Sequence, residues 1–382
     1  MQPYSGPTAL NGKAAQSSLE LSRGHYKIME KEGCVRTMFD NILVPLDRSV
    51  LAECVLPHTV AIARAFQSRV TLLTVLERGT RLDYTYGVDP LAWRIRKAEA
   101  ESYLSNLSDR LQKTGLPLER RTLEGEAAEQ IIDFAHNNGV NLIILSSHGQ
   151  SGLTGWNVGS AVQKIVMRAR TSIMIVRAYQ RRAADLADLR YQRLLVPMDG
   201  SHRAEWVWPL ATTLARAEGA EILLAHVVKP PEMPRRLPPT AEDTELADRV
   251  VKRNQEEARR YVDELRSWMP TSVSVRGCVL VGDHVPATLH QLADEEGVGL
   301  VVLSAHGYSG GTRFLYGGVV MSFIIYGSTP VLIVQDVPVD EIQPNPAEIR
   351  ATDHGVLPMH HGTFGIEDSW QSLQFPAPPI RH

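Results

Sequence analysis

This chain of 382 residues has few cysteines, no basic excess and no long apolar run. Its three cysteines, Cys34, Cys54 and Cys278, stand far apart and without CxxC spacing. They supply neither a zinc ligand set nor a disulfide framework, which points to a reducing, cytoplasmic setting. The 40 Lys and Arg against 43 Asp and Glu leave a net charge of −3, without the positive surface that nucleic acid requires. No apolar stretch approaches the ~20 residues of a membrane helix. Lys13, Glu20, Arg23 and His25 interrupt the N-terminus where a signal peptide would carry its apolar block. The Walker motif GxxxxGK(S/T) is also missing, so the chain is not built as an efficient NTPase or kinase.

What is present is a long repeat. Residues 142–160 read LIILSSHGQSGLTGWNVGS and residues 300–318 read LVVLSAHGYSGGTRFLYGG. Upstream, ILVPLDRS at 42–49 returns as LLVPMDGS at 194–201. Equivalent positions lie 158 residues apart at the glycines and 152 apart at Asp47 and Asp199. That period is too long for a solenoid unit and fits a duplicated domain.

Within each copy, short β-branched runs alternate with helical patterns. In the first, strands are expected at 41–46, 70–76, 118–123, 140–147 and 173–177, with helices near 52–63, over 90–113, after Gly125 and over 160–169. In the second, a helix near 203–218 and a long helix within 243–267 follow the same order. The β-α-β-α-β-α-β-α-β alternation argues for a parallel, doubly wound sheet in each copy. The expected organisation is a disordered extension over 1–38, one domain over 39–179, a charged connector over 180–190, a second domain over 191–338, and a proline-rich disordered tail over 339–382. Met38, which runs straight into the first strand, is expected to be the real start or an alternative to Met1. His360 and His361 in the tail are read as surface residues.

The segment from Ser146 through Gly149 to Gly159 and Ser160 ends a strand, turns and opens a helix. Glycines let the main chain approach a ligand closely and take positive φ. Amides of such a turn, with the free N–H groups of the next helix, form a cradle for phosphate oxygens. Ser160 is placed to cap the helix or to donate to a phosphate. Pro45 and Pro197 mark the exits of the first strands, since proline donates no ladder bond. Asp47 and Asp199 then lie at the carboxyl ends of the sheets, in the crevice where such folds hold ligands. Each carboxylate could bond a ribose or base, or help hold Mg²⁺ beside phosphates. The competing role is an Asx cap, Asp47 with Ser49 and Asp199 with Ser201. His148 and His306 are read as fixing the turn, in preference to acting as general bases.

These residues resemble the universal stress protein family, in a tandem arrangement covering about 39–179 and 191–337. Its nucleotide-binding members carry G-x2-G-x9-G-(S/T) after the fourth strand and an aspartate after the first. The first glycine of that motif falls on Ser146 and Ser304, a departure in both copies. The second and third fall on Gly149 and Gly159, and on Gly307 and Gly317. The final hydroxyl residue is Ser160 in the first copy but Gly318 in the second. The valine that contacts adenine corresponds to Val75 and Val227.

The resemblance implies two Rossmann-like, five-stranded α/β domains of the adenine nucleotide alpha-hydrolase type. It implies ATP, with Mg²⁺, as a regulatory ligand in a bacterial-type stress response, with little or no hydrolysis. A slow ATPase or phosphotransferase, or a nucleotide-independent scaffold, is the alternative. The implied ATP site comprises Pro45, Asp47, Val75, Ser146, Gly149, Gly159 and Ser160. A second set, Pro197, Asp199, Val227, Ser304, Gly307, Gly317 and Gly318, lacks the hydroxyl, so the first domain is expected to bind better. The apolar last strands, 173–177 and 331–335, would be exposed edges. The resemblance implies that they pair with each other inside one chain, or in a homodimer.

Overall fold

The computed structural model describes residues 38–77, 90–149, 158–178, 186–231, 238, 240–307 and 316–335. The expected disordered extension and tail, and most of the connector, lie outside the described residues. The first copy runs β1 (Asn41–Pro45), α1 (Val55–Phe66), β2 (Arg69–Leu76), α2 (Pro90–Gln112), β3 (Leu118–Glu124), α3 (Ala127–Asn137), β4 (Leu142–Ser146), α4 (Ser160–Arg168) and β5 (Ser172–Val176). The second runs β6 (Arg193–Pro197), α5 (His202–Glu205), α6 (Trp208–Glu218), β7 (Glu221–Val228), α7 (Ala241–Ser267), β8 (Val275–Val281), α8 (Val285–Glu295), β9 (Leu300–Ser304), α9 (Gly318–Tyr326) and β10 (Val331–Val334).

The helix expected near 203–218 is two helices, α5 and α6. Pro209 cannot donate a hydrogen bond back into a continuing helix, so a new one starts with the proline in its first turn. Gly219 closes α6 in the left-handed conformation, φ 68°. The long α7 opens on a capping box, with Asp243 N donating to Thr240 Oγ1 at 3.2 Å and Thr240 N donating to Asp243 Oδ2 at 3.0 Å.

The strands form one ten-stranded sheet in the order β3-β2-β1-β4-β5-β10-β9-β6-β7-β8. Every pair is parallel except β5 with β10, which is antiparallel. The order is palindromic, so the two copies are related by a pseudo-two-fold axis. That axis passes through the paired residues Met174 and Leu332, themselves 158 positions apart. Joining the two last strands removes both apolar edges: β5 and β10 are buried along their whole length.

Both faces of the sheet are covered, which is why its central strands read as continuous apolar runs rather than alternating ones. Ile42 and Val44 point to a layer containing Val60 of α1, Leu104 and Leu107 of α2, Leu214 of α6 and Val262 of α7. Leu43 points to the opposite layer, with Ile131 of α3, Ile165 of α4, Leu289 of α8 and Phe323 of α9. Both layers run through the two copies without a break. Across the junction, His58 Nδ1 meets the phenol of Tyr191 at 2.7 Å, buried on both sides. Arg177, 2% exposed, donates to the carbonyl oxygens of Phe323 and Ile324 near the end of α9. Among the described residues no helix is long and apolar enough to cross a membrane.

Candidate functional site

The sheet order places β1 between β2 and β4, so the carboxyl ends of these three strands open on one side. Beyond them lies a cleft of about 680 Å³. Pro45 and Asp47 reach it from β1, Val75 from β2, Ser146 and Gly149 from β4, and Gly159 and Ser160 from the start of α4. The tertiary structure thus brings all seven residues of the first set to one wall.

Asp47 works with both carboxylate oxygens. Oδ1 accepts from Ser49 N at 2.9 Å, and Ser49 Oγ accepts from Ala52 N at 3.0 Å, an Asx turn leading into α1. Oδ2 lies against Gly149, where an added Cβ would collide with it. Gly149 is therefore a requirement of space. Positive φ, expected for the turn glycines, occurs at none of Gly149, Gly159, Gly307 and Gly317. A Cβ at Gly159 would find its nearest neighbour, Ser147 O, at 3.8 Å. Its openness leaves the main chain accessible from the cleft.

The ends of the intervening segment are tied together. Gly159 N donates to Ser147 O at 2.9 Å, and in the second copy Gly317 N donates to Ala305 O at 2.9 Å. Ser147 N donates to Val176 O at 2.8 Å, anchoring the turn to β5. Ser146, standing where a glycine was the expected pattern, turns its hydroxyl inward and donates to His148 O at 2.7 Å. Ser304 repeats this toward His306 O at 2.9 Å. His148 is 3% exposed and its Nδ1 meets Ser147 Oγ at 3.0 Å. This places it as a brace of the turn. Ser160 is not the cap of α4: Gly159 is, and Ser160 is the first helical residue, with its side chain exposed at the cleft. The first amides of α4, which have no acceptor within the helix, follow from that point.

The second copy repeats the frame. Asp199 Oδ1 accepts from Ser201 N at 3.0 Å and from Ser201 Oγ at 2.6 Å, and Ser201 caps α5 through Ala204 N at 3.1 Å. Its Oδ2 lies against Gly307 as Asp47 lies against Gly149. Pro197 ends β6. Gly317 caps α9 and Gly318 is its first residue, with nothing within 4 Å of an added Cβ. The lining differs. Ala127, Ala161 and Ile165 of the cleft correspond to the bulkier Val285, Val319 and Phe323, whereas Arg48, Leu73 and Leu76 correspond to the smaller Gly200, Ala225 and Val228. Outside the lining, Val158 corresponds to Tyr316. Tyr316 is buried, and that burial pushes its phenol well above the usual range. Val227 instead lines a hollow of about 340 Å³ against α7, with His226, Lys229, Asn254 and Tyr261. No other member of the second set lines that hollow.

The sequence model of the universal stress protein family matches residues 38–177 and again residues 190–335. The chain belongs to the universal stress protein family. The universal stress protein YxiE of Bacillus subtilis is 28% identical over 148 residues, spanning 37% of this chain and 100% of that one. The universal stress protein MJ0531 of Methanocaldococcus jannaschii is 23% identical over 141 residues, spanning 37% of this chain and 83% of that one. A universal stress protein structure from Archaeoglobus fulgidus superposes with a TM-score of 0.55 at 16% identity, covering 78% of this chain and 99% of that chain. The protein PA1789 of Pseudomonas aeruginosa gives a TM-score of 0.58 at 15% identity, covering 78% and 94%. These two share the fold.

Two features of this universal stress protein were missed from sequence. A glutamate–tyrosine pair underlies each aspartate: Tyr261 donates to Glu205 Oε1 at 3.0 Å, and Tyr103 and Glu53 are the counterparts. Burial first, then the facing glutamate and aspartate, pushes both phenols upward. Burial also raises the Glu205 carboxyl, against the hydrogen bond from Tyr261. The repeat spacing itself carried the signal, since Tyr103 and Tyr261 are 158 positions apart. The second feature is the contribution of α2: Trp93, Arg96 and Glu99 all line the cleft. Trp93 does not recur in the second copy, so a search for repeated residues passes over it.

Proposed function

We propose that this tandem universal stress protein binds ATP in the first cleft as a regulatory ligand in a bacterial-type stress response, in the cytoplasm. The observation carrying this reading is the convergence of seven motif residues on one cleft of about 680 Å³. The open main chain at Gly159, the Ser160 hydroxyl and the first amides of α4 would receive phosphate oxygens. Val75, two strands away, would flank the base. Among the described residues no three His, Cys, Asp or Glu side chains converge as a metal site. A Mg²⁺ would therefore be shared between Asp47 and the phosphates.

Hydrolysis is slow or absent in this reading, because His148, though it lines the cleft, is 3% exposed and its Nδ1 is engaged with Ser147 Oγ. The same frame with a different lining and no hydroxyl at Gly318 supports weaker binding, or a different ligand, in the second copy. The test is to denature the purified protein and quantify the nucleotide released per chain, for wild type, Gly159→Val and Gly317→Val. ATP near one equivalent, lost with Gly159→Val alone, supports the proposal. No nucleotide in any sample, and no uptake of added ATP and Mg²⁺, would replace it with the scaffold reading.

A further inference from the structure

Given the first cleft as a nucleotide site, the structure also assigns its base-recognising residue: we propose that Trp93 provides the stacking face for the nucleobase and sets the ligand preference of the first copy. The buried residues of α2 begin at Ala100, so its opening turns are not held by the core. Leu91 and Ile95 there are 64% and 51% exposed. Trp93 between them is half-buried and lines the cleft, as do Val75 and Leu76 of β2. Helix α2 packs on β2 and β3, whereas the glycine turn follows β4. From β2 across β1 to β4 is two strand spacings, about 10 Å. That is roughly the reach of a nucleotide from its base to its distal phosphates. An indole at one end and a phosphate cradle at the other match the two chemistries of that molecule.

The surroundings support the assignment. Arg96, three residues on, lines the same cleft, and Arg48 pairs with Glu99 at 3.8 Å, linking the exit of β1 to α2. The second copy shows what happens when this end changes. Ala100, Tyr103 and Leu107 align with Ala258, Tyr261 and Leu265 at the 158-residue offset, so α7 is the counterpart of α2. At that offset Val251 replaces Trp93 and Asn254 replaces Arg96, while Gly200 stands for Arg48 at the 152-residue offset. The aromatic plane and both cations are lost together, although the aspartate–glycine frame is kept. The two copies thus share the aspartate–glycine frame and, besides the Ser160 hydroxyl, differ at the base end.

Stacking on an aromatic side chain tolerates any base but rises with ring area, so purine nucleotides should bind more tightly than pyrimidine nucleotides. The experiment is calorimetric titration of ATP, CTP and inorganic tripolyphosphate into full-length, nucleotide-stripped wild type, Trp93→Ala and Trp93→Phe, with melting temperatures measured alongside. Trp93→Ala should weaken ATP about tenfold and leave tripolyphosphate unchanged. Trp93→Phe should recover most of the loss, and the preference for ATP over CTP should shrink in Trp93→Ala. Unchanged ATP affinity in Trp93→Ala, or equal weakening of ATP and tripolyphosphate, overturns the assignment while the nucleotide site stands. Failure of wild type to bind ATP at all overturns the nucleotide site itself.

Discussion

The space that a Cβ on Gly149 would need is already taken by Oδ2 of Asp47, and Gly307 stands in the same relation to Asp199. Gly149→Ala must push the carboxylate aside and disturb its 2.9 Å bond from Ser49 N. Overpacking of this kind costs about 1–3 kcal/mol. Gly159→Ala, with 3.8 Å of clearance, should melt like wild type. The expected result is a lowered melting temperature for Gly149→Ala only, with at least tenfold weaker nucleotide uptake in that variant. Equal melting of the two variants would remove the steric account.

Ser160 and Gly318 are equivalent first residues of α4 and α9, and only one carries a hydroxyl. A hydrogen bond to a charged group contributes about 1.5–3 kcal/mol, tenfold or more in affinity. Ser160→Ala should weaken ATP by that factor. Gly318→Ser has open space to fill. If the hydroxyl were the sole deficit, it would create a second binding event. The second copy also lacks counterparts of Trp93, Arg96 and Arg48, so stoichiometry should stay at one, which calorimetry reads directly.

Burial pushes His58 down to about 4 from its usual 6.5. The folded protein thus binds fewer protons than the unfolded chain between those values. The stability contributed by the neutral, buried imidazole is complete above pH 6.5 and is lost progressively as pH falls toward 4. A displacement of this size corresponds to about 3 kcal/mol. Burial shifts His226 and His290 in the same direction. Urea unfolding at pH 7 and pH 4.5 should show this loss, and His58→Gln should reduce it. The same pH slope in that variant would locate the proton uptake elsewhere.

The seam between the copies is both apolar and capped. Ile175 faces Val331 with neither exposed, and Arg177 sits against the carbonyls near the end of α9, where a cation complements the helix dipole. Ile175→Glu buries a carboxylate without a partner and should part the sheet, giving aggregation or separate unfolding of the two halves. Arg177→Met keeps the apolar stem but strands the carbonyls, at a cost of about 1–3 kcal/mol. Chemical unfolding followed by size-exclusion chromatography distinguishes these outcomes. A monodisperse, cooperatively unfolding Ile175→Glu protein would show that the seam does not hold the copies together.

Much of the first site was legible because its residues recur. Asp47, Gly149 and Gly159 have counterparts at fixed offsets, and glycine beside a strand end is a local signal. The reason for Gly149 was not legible: it is excluded volume from Asp47, about a hundred residues away, and not local dihedral freedom. Ser146 likewise reads as a departure near phosphates but folds inward onto His148 O. Trp93 escaped notice because it occurs once, on a helix whose other nearby residues are charged or exposed.

By itself, the sequence determined that two α/β units lie in tandem, that their central strands are buried on both faces, and roughly where the strands lie. Periodicity, proline positions and repetition are local properties, and they survive in a linear string. Only the tertiary structure decided that β5 meets β10 antiparallel to make one ten-stranded sheet, and that the tyrosines stand under the aspartates. It alone brought α2 to the rim of the first cleft and set Asp47 against Gly149. Those outcomes depend on distances between residues far apart in the chain and on side-chain volume competing for shared space, and neither is encoded at any one position.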